Sequence, residues 1–258
     1  MKKNLFYFIA ATTCLALAML ACSSVSSLTS LANSGSSSAT DNATSVPINT
    51  ESSGDNGSSN SGSVSGGNQN VVYQDDFSND NSGWGTGSDA NKVVQYTNDT
   101  LEFQVLKAED MVYSGPNQTD YKDIHIEVTA TPNNTDKNSY FGILCDQQVT
   151  SDAFYYGAIT PAGQYAIAKA AVAEDDVFLT GGNNWKTSKL IPVNAASYTI
   201  GLDCGSDGTL TLYVNGKQID SVTDTTYTDG YIGLFAASDK KANSADVSFS
   251  NYVATSLK

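Results

Sequence analysis

The stretch that decides the fold is residues 209–222, TLTLYVNGKQIDSV. Leucine and valine alternate with threonine and tyrosine up to the dipeptide Asn215-Gly216. A two-residue type I′ turn needs positive φ at both central residues, and Asn-Gly adopts it readily. Alternation on both sides of such a turn is typical of a β-hairpin. The stretch therefore predicts two antiparallel strands, Thr209–Val214 and Lys217–Val222.

The same alternation, interrupted by turn residues, continues through the chain from residue 71 onward. The alanine-rich stretch 166–173 could form a helix, but it extends an alternation that leaves a Pro-Ala-Gly turn, which favours a strand. About twelve to fourteen short strands predict one all-β domain over residues 71–258, an antiparallel two-sheet jelly-roll sandwich. Further strands are predicted at Val71–Phe77, Lys92–Tyr96, Leu101–Leu106, Ile124–Thr131, Tyr140–Gln147, Phe154–Thr160, Gln164–Ala170, Tyr198–Cys204, Tyr231–Ala236 and Ala245–Val253.

Two cysteines lie on predicted strands, and the alternation assigns their side chains to the interior. Cys145 shares a strand face with Phe141 and Ile143, and Cys204 likewise follows Ile200 and Leu202. In an oxidising compartment an even pair of this kind indicates a disulfide. Closing a loop of about 60 residues would stabilise the domain by about 4 kcal/mol in the chain-entropy model. The alternative is a pair of buried free thiols.

The N-terminus has the pattern of an export signal. Lys2 and Lys3 precede an apolar run that reaches Ala21, which is typical of a signal peptide over residues 1–21. A transmembrane anchor would need about 20 strongly apolar residues, and this run contains too few. The segment that ends in Ala21-Cys22 resembles a lipobox. In that motif a small residue precedes a cysteine that becomes the lipidated first residue of the mature protein. The sequence predicts a lipoprotein held on the outer face of a bacterial membrane, at the cell surface; the alternative is an ordinary secreted protein.

Between the export signal and the domain, residues 22–70 consist mostly of Ser, Thr, Asn and Gly. After Cys22 the segment has no aromatic residue and carries only the charges of Asp41, Glu51 and Asp55. Such a segment buries too little apolar surface to offset the entropy lost on ordering. We therefore expect a disordered tether with a root-mean-square span of about 35–40 Å.

The charge of the chain excludes several classes of partner. The formal net charge is −14, and all 13 basic residues are lysines. An acidic protein repels the phosphate backbone of nucleic acids, so nucleic acid is not expected as a partner. The absence of arginine from the sequence also removes the planar fork that binds phosphates through two hydrogen bonds. The sequence indicates no oligomeric state.

Turn and core motifs such as Asp75-Asp76-Phe77 with Gly83-Trp84, and Gly230–Phe235, recur along the domain. Together these segments resemble concanavalin A-like lectin/glucanase domains of bacterial surface proteins. The resemblance covers nearly all of residues 71–258 and implies a jelly-roll fold. The superfamily includes lectins, laminin-G-like modules, glucanases and the 3-keto-disaccharide hydrolase domains of some bacterial lipoproteins, so the fold alone selects no function. The segments are Asp75-Asp76-Phe77 with Gly83-Trp84, Phe154–Tyr156, the Pro161–Gly163 turn with Gln164–Lys169, Leu210–Gly216, Gly230–Phe235 and Val247–Val253.

The sequence does not contain the catalytic motif of the glucanases that it resembles. Those enzymes carry a Glu-x-Asp-x-x-Glu run whose two carboxylates lie about 5 Å apart. The nearest acidic cluster, Glu174-Asp175-Asp176, would alternate between the two faces of a strand. The single histidine, His125, has no second metal-binding partner in the sequence pattern. A non-catalytic binding module is therefore favoured; the alternatives are a glycoside-acting enzyme of the 3-keto-disaccharide hydrolase type and a structural or protein-interaction module of the cell envelope.

Aromatic side chains near strand ends and loops predict a carbohydrate as the ligand. Aromatic rings stack on the apolar face of a sugar, while polar side chains bond its hydroxyl groups. The resemblance also implies that a structural calcium could lie between the first and last strands, with Asp75, Asp76 and Asp246 as its ligands, against the alternative of solvated carboxylates. No other cofactor is expected. The predicted ligand-binding residues are Tyr113, His125, Tyr155, Tyr165, Lys169 and Trp185.

Overall fold

The computed structural model describes residues 5–7 and 70–257, apart from residues 117, 135, 172, 173, 183 and 243. Residues 8–69 are outside this part, so the predicted lipidation site Cys22, most of the predicted signal peptide and nearly all of the predicted tether lie outside the described residues. None of the described residues forms a helix long and apolar enough to cross a membrane.

The described chain is built from seventeen strands. The short alternating runs that the sequence contains become strands of two to twelve residues. They are β1 Leu5–Tyr7, β2 Val71–Asp75, β3 Gly87–Ser88, β4 Lys92–Thr97, β5 Thr100–Val105, β6 Met111–Ser114, β7 Ile124–Pro132, β8 Ser139–Gln148, β9 Ala153–Ile159, β10 Gln164–Ala171, β11 Val177–Phe178, β12 Lys186–Thr187, β13 Tyr198–Cys204, β14 Thr209–Val214, β15 Lys217–Thr223, β16 Tyr231–Ser238 and β17 Ala245–Ser256.

The strands form two sheets, which we call the front sheet and the back sheet. The front sheet has the order β1-β6-β16-β8-β9-β10-β11, with β12 also paired to β10. The back sheet has the order β15-β14-β13-β7-β17-β5-β4-β3, with β2 also paired to β17. Every described strand pair is antiparallel except β1 with β6. The predicted antiparallel two-sheet sandwich is therefore confirmed.

The core lies between the two sheets and follows from the period-2 pattern of the strands. In β7 the residues Ile124, Ile126 and Val128 are buried, whereas the alternate residues are partly or fully exposed. The inward side chains of the back sheet pack against those of the front sheet, including Phe141 and Ile143 of β8. This one-sided burial is typical of an antiparallel sheet with one solvated face.

The hairpin of β14 and β15 has the turn that its sequence predicts. Asn215 and Gly216 both have positive φ, at 50° and 71°. Val214 pairs with Lys217 across the turn, which makes it a two-residue connection. The predicted strand in the first half of the alanine-rich stretch is also confirmed, because β10 continues to Ala171.

A disulfide joins the two sheets through the core. Cys145 of β8 in the front sheet is bonded to Cys204 at the end of β13 in the back sheet. Both residues are buried, at 0% and 1% exposure. The predicted disulfide is therefore confirmed, and it links strands that share no hydrogen bonds with each other.

Asp146, the residue after the disulfide cysteine, gives the stability of the fold a pH dependence. Its side chain is buried, and burial, together with the charges of Asp229 and Asp123, raises its pKa to about 7. In the unfolded chain the carboxyl titrates near pH 4. The folded protein therefore holds the proton more tightly, and the free energy of unfolding falls as the pH rises from about 4 to about 7.

We expect Asp146→Asn to remove this loss of stability. The variant should exceed the wild type by about 2–4 kcal/mol near pH 8 and match it near pH 4, measured by urea unfolding across the pH range. Asn suits the site because Asp146 has a positive φ of 51°, a conformation that Asn tolerates. Asp80→Asn, in an exposed loop, is the matched control. Identical pH profiles for the wild type and Asp146→Asn would contradict the prediction.

Candidate functional site

The front sheet is apolar on both of its faces, unlike the back sheet. In β9 the side chain of Tyr155 belongs to the core between the sheets, whereas Phe154 and Tyr156 belong to a second apolar cluster. Because successive side chains of a strand point to opposite faces, this second cluster lies on the outer face of the front sheet. We call this surface the aromatic face. Its rings are Tyr113, Tyr140, Phe154, Tyr156, Phe178, Trp185 and Phe235.

Small residues lie between the rings of the aromatic face. The strand register places Tyr113, Phe235, Gly142, Ala158 and Ala166 in one row across five strands. The next row runs through Leu144, Tyr156, Ala168 and Phe178 in the same way. Most of these residues are buried: Tyr113, Tyr156 and Phe235 are 0% exposed. The rings of the aromatic face that solvent reaches are Phe178 and Trp185, which are half-buried.

A cavity of about 210 Å³ opens at one end of this face, and we call it the aromatic cavity. The rings of Tyr140 and Trp185 meet edge to face with centroids 5.0 Å apart, and those of Phe178 and Trp185 meet at 6.0 Å. Trp185 and Phe178 are half-buried, so both remain accessible from solvent. The described lining residues are Glu109, Tyr140, Tyr156, Asp175, Asp176, Phe178, Trp185, Ser238 and Asp239.

Carboxylates organise the tyrosine hydroxyls of the aromatic face. The hydroxyl of Tyr156 donates to Asp176 Oδ2 at 2.9 Å. Burial, reinforced by the charge of Asp176, raises the pKa of Tyr156 far above its usual value, so its hydroxyl stays protonated and acts as a donor. At the other end, Asp152 Oδ1 accepts hydrogen bonds from the Tyr113 hydroxyl and from Gln147 Nε2. The face therefore combines apolar rings with fixed acceptors at its margins.

Two of the six predicted ligand residues, Tyr113 and Trp185, lie on the aromatic face. Three others point to the inner side of the front sheet and brace it against the segment around β15. Tyr155 and Lys169 both bond to Asp224, with Lys169 Nζ 3.2 Å from Asp224 Oδ2. Tyr165 donates its hydroxyl to Asp220 Oδ2 at 3.0 Å. The structure therefore does not bring these three together with Trp185, because a strand alternates its faces.

These contacts with Asp224 and Asp220 shift the pKa values of the groups that they join. Burial, aided by the hydrogen bonds to Asp224 and Asp220, raises the pKa of Tyr155 and of Tyr165 to about 12. Burial alone would raise the pKa of Asp224 as well. Hydrogen bonds from Thr226, Tyr155 and Lys169 outweigh that effect and hold its pKa well below the usual range. These contacts stabilise the fold and leave no accessible ring at Tyr155.

The sixth predicted residue, His125, lies on the outer face of the back sheet. Its Nδ1 is 2.6 Å from Asp203 Oδ1, and Asp203 Oδ2 accepts the hydroxyl of Tyr213 at 2.8 Å. The rings of His125 and Tyr213 are 5.8 Å apart, edge to face. Packed sheets are separated by about 10 Å, so the whole sandwich lies between His125 and the aromatic face.

The three predicted calcium ligands are not brought together. Asp75 accepts hydrogen bonds from the Phe77 backbone nitrogen and from Trp84 Nε1, both at 2.8 Å. It pairs with Tyr252 in β17, six residues beyond Asp246, which corresponds to about 20 Å along the strand. Asp76 beside it is exposed. Within the described part of the chain, no three His, Cys, Asp or Glu groups could hold a metal ion.

Most rings of the aromatic cavity were not predicted from the sequence. Tyr140, Tyr156 and Phe178 lie within or next to apolar runs, where a ring is expected in the core. The signal that could have found them is the run FYYGAI at 154–159, which is apolar at both strand parities. In an antiparallel sandwich only one face of a strand packs in the core, so only that face needs to be apolar. A strand that is apolar on both faces therefore indicates a second apolar surface outside the core.

No protein-family profile matches the sequence, and no curated protein matches it. Solved structures do match. The carbohydrate binding module CBM66 from Bacillus subtilis has a TM-score of 0.53 at 14% identity, over 68% of this chain and 96% of that one. A Bacillus licheniformis β-glucanase has 0.51 at 13% identity, over 72% and 98%. A Bacillus subtilis protein of unknown function with a galectin-like fold has 0.54 at 10% identity, over 72% and 96%.

The domain has a concanavalin A-like jelly-roll fold. The fold named by the resemblance of its turn and core motifs is thus confirmed. At identities of 10–14%, these likenesses concern the fold alone. Function has to be argued from the residues of the site.

Proposed function

We propose that this protein is a surface-anchored, non-catalytic module that binds carbohydrate on its aromatic face. The observation that carries the proposal is the aromatic cavity, in which accessible rings stand beside fixed carboxylate acceptors. The half-buried rings of Trp185 and Phe178 offer apolar surface to a sugar ring. Asp175 and Asp176, which line the same cavity, offer acceptors to its hydroxyl groups.

The proteins that share the fold support a carbohydrate-related role. They include a module named for carbohydrate binding and enzymes named as glucanases or glycosidic hydrolases. In this chain, the only histidine is bonded to Asp203 on the opposite outer face, away from the rings. A binding role therefore follows more directly from the described residues than a hydrolytic role that uses His125.

The proposal predicts that Trp185→Ala weakens glycan binding. Removing the indole takes away one wall of the aromatic cavity and its contacts with Tyr140 and Phe178. We expect the full-length wild-type chain to bind a subset of glycans on an array, and the variant to lose at least about tenfold in affinity, or about 1.4 kcal/mol. His125→Ala, on the other outer face, is the control and should bind like the wild type.

Two results would contradict the proposal. One is a wild-type chain that binds no glycan above background. The other is a loss of binding in His125→Ala together with full binding in Trp185→Ala, which would move the site to the back sheet.

The proposed anchoring rests on the N-terminal sequence. Removal of residues 1–21 and lipidation of Cys22 would attach the chain to the outer face of the membrane, because several acyl chains on one cysteine anchor a protein stably. The tether of residues 22–70 would then place the start of the domain at a root-mean-square distance of about 35–40 Å from the lipidated cysteine. The predicted result is that cells expressing the full-length chain incorporate a clickable fatty acid into it, whereas Cys22→Ala incorporates none. Labelling of the Cys22→Ala chain would refute the anchor.

A further inference from the structure

One end of the front sheet is formed by β1, a strand from the N-terminal region of the chain. Leu5–Tyr7 pair in parallel with Met111–Tyr113 of β6, and β16 pairs with the other side of β6. The same three residues lie within the predicted signal peptide of residues 1–21. Removal of that segment would take β1 away and turn β6 into the edge of the front sheet.

The side of β6 that faces β1 lacks the features by which sheets protect their edges. Natural edges carry charged residues, proline or bulges, or consist of very short strands. β6, Met111–Ser114, has neither a charged residue nor a proline. The other ends of the two sheet orders are protected: β3 and β11 have only two residues each, and β15 carries Lys217 and Asp220. Among these ends, β6 is therefore the one suited to accept a further strand.

The surroundings of β6 favour an apolar strand beside it. Met111 and Tyr113 belong to the outer apolar cluster of the front sheet, whereas Val112 belongs to the core between the sheets. A strand paired with β6 therefore has apolar neighbours on both of its faces, because side chains of adjacent strands contact each other across the pair. The sequence that occupies this position in the chain, Leu-Phe-Tyr, is apolar throughout.

We infer that the β6 edge is an interaction surface for an extended apolar segment of another polypeptide, which pairs with it in parallel. Addition of a strand to a sheet edge is a general mode of peptide recognition, in which backbone hydrogen bonds supply the affinity. In the uncleaved chain Leu5–Tyr7 occupy this surface and keep it closed. Removal of residues 1–21 would make it available to a partner. The inference is independent of the carbohydrate function, since the edge consists of backbone groups outside the aromatic cavity.

A pair of prolines opens the edge without any cleavage. Phe6→Pro with Tyr7→Pro removes the N–H groups of two adjacent residues. Adjacent residues of a strand direct these groups to opposite sides, so the variant loses a hydrogen bond to β6 whichever of the two faces it. Phe6→Val with Tyr7→Val is the matched control, because valine keeps the N–H groups and favours a strand.

The probe is a fluorescent peptide with the sequence of residues 1–10, MKKNLFYFIA, and its binding to the full-length chains is measured by anisotropy. The chain's own N-terminal segment competes with it at an effective concentration on the order of 1 mM, so the proline variant should bind the peptide at least about fivefold more tightly than the wild type or the valine variant. A peptide methylated on the backbone nitrogens of Leu5, Phe6 and Tyr7 keeps its side chains but cannot donate to β6. It should bind the proline variant at least about tenfold more weakly.

Hydrogen exchange locates the binding on the sheet. The amides of Met111–Ser114 that face β1 are protected by the pairing in the wild type. They should exchange faster in the proline variant and regain their protection when the peptide is added. The amides of β14, which pairs with strands on both of its sides in the back sheet, should exchange alike in all three proteins.

Binding to the proline variant together with restored protection of β6 supports the inference. Equal binding of the methylated peptide overturns it, since side chains and not strand pairing would then account for the affinity. A proline variant that binds no peptide, or β6 amides that exchange alike in all three proteins, also overturns it. Self-association of the proline variant in sedimentation would replace the stated partner with a second copy of this chain. Glycan binding is a separate measurement, so failure here leaves the proposed carbohydrate function standing.

Discussion

Removing the inter-sheet disulfide by replacing Cys145 and Cys204 with alanine lowers the expected free energy of unfolding by about 4 kcal/mol. The bond closes a loop with a sequence separation of 59 residues, so its loss frees a long segment in the unfolded chain. For a domain of this size, the change corresponds to a fall in Tm of roughly 8–16 °C.

The disulfide joins the two layers of the sandwich and also persists when they come apart. Cys145 belongs to β8 of the front sheet and Cys204 to β13 of the back sheet. The sheets are otherwise held to each other at this point by side-chain packing. The disulfide persists in the unfolded chain and restricts its conformations through the loop that it closes, whereas the hydrogen bonds and the packing of the sheets are lost on unfolding.

The alanine variant loses two buried sulfur atoms as well as the cross-link. Reduction of the disulfide in the wild type is the control that separates these two losses. Urea unfolding with and without dithiothreitol changes the cross-link but leaves both sulfurs in the core. The reduced protein should lose most of the same 4 kcal/mol and show a larger m-value, because its unfolded state exposes more surface. Equal stability of the oxidised and reduced wild type would refute the prediction.

The sequence predicted the parts of the fold that depend on local chemistry. The Asn215-Gly216 turn, the alternation in β7 and the inward position of Cys145 all follow from positive φ or from the period of a strand. The strand β6, Met111–Ser114, was missed because all four of its residues are buried. A short run that is buried on both faces has no alternation by which a strand can be recognised.

The site was predicted less well than the fold, for a reason that individual residues make clear. Tyr155 and Tyr156 are adjacent tyrosines in one strand, yet one braces Asp224 inside the sandwich and the other lines the aromatic cavity. Their residue type does not distinguish these two positions. The alternation of the strand does, because one residue known to point inward assigns every other residue of the strand to a face. The carboxylates at the cavity come from loops around residues 109, 175 and 239, whose convergence depends on the sheet order.

A buried ion pair near the edge of the sandwich gives the other large expected effect. Lys92 Nζ lies 2.8 Å from Asp110 Oδ1, with side chains only 1% and 7% exposed. Lys92 begins β4 of the back sheet, and Asp110 directly precedes β6 of the front sheet, so the pair links the two layers. Asp110 Oδ1 also accepts the backbone nitrogen of Met111 at 2.9 Å.

We expect Lys92→Met to lower the free energy of unfolding by about 3–5 kcal/mol, because it leaves the Asp110 charge buried without its cation. Adding Asp110→Asn removes that charge and keeps an acceptor for Met111, so the double variant should be more stable than Lys92→Met. Lys186→Met is the matched control, since its 3.2 Å pair with Asp220 has side chains 44% and 26% exposed. It should cost less than about 1 kcal/mol. Chemical unfolding of the four proteins decides the matter: a double variant no more stable than Lys92→Met would show that packing of the lysine stem, and not the charge left on Asp110, accounts for the loss.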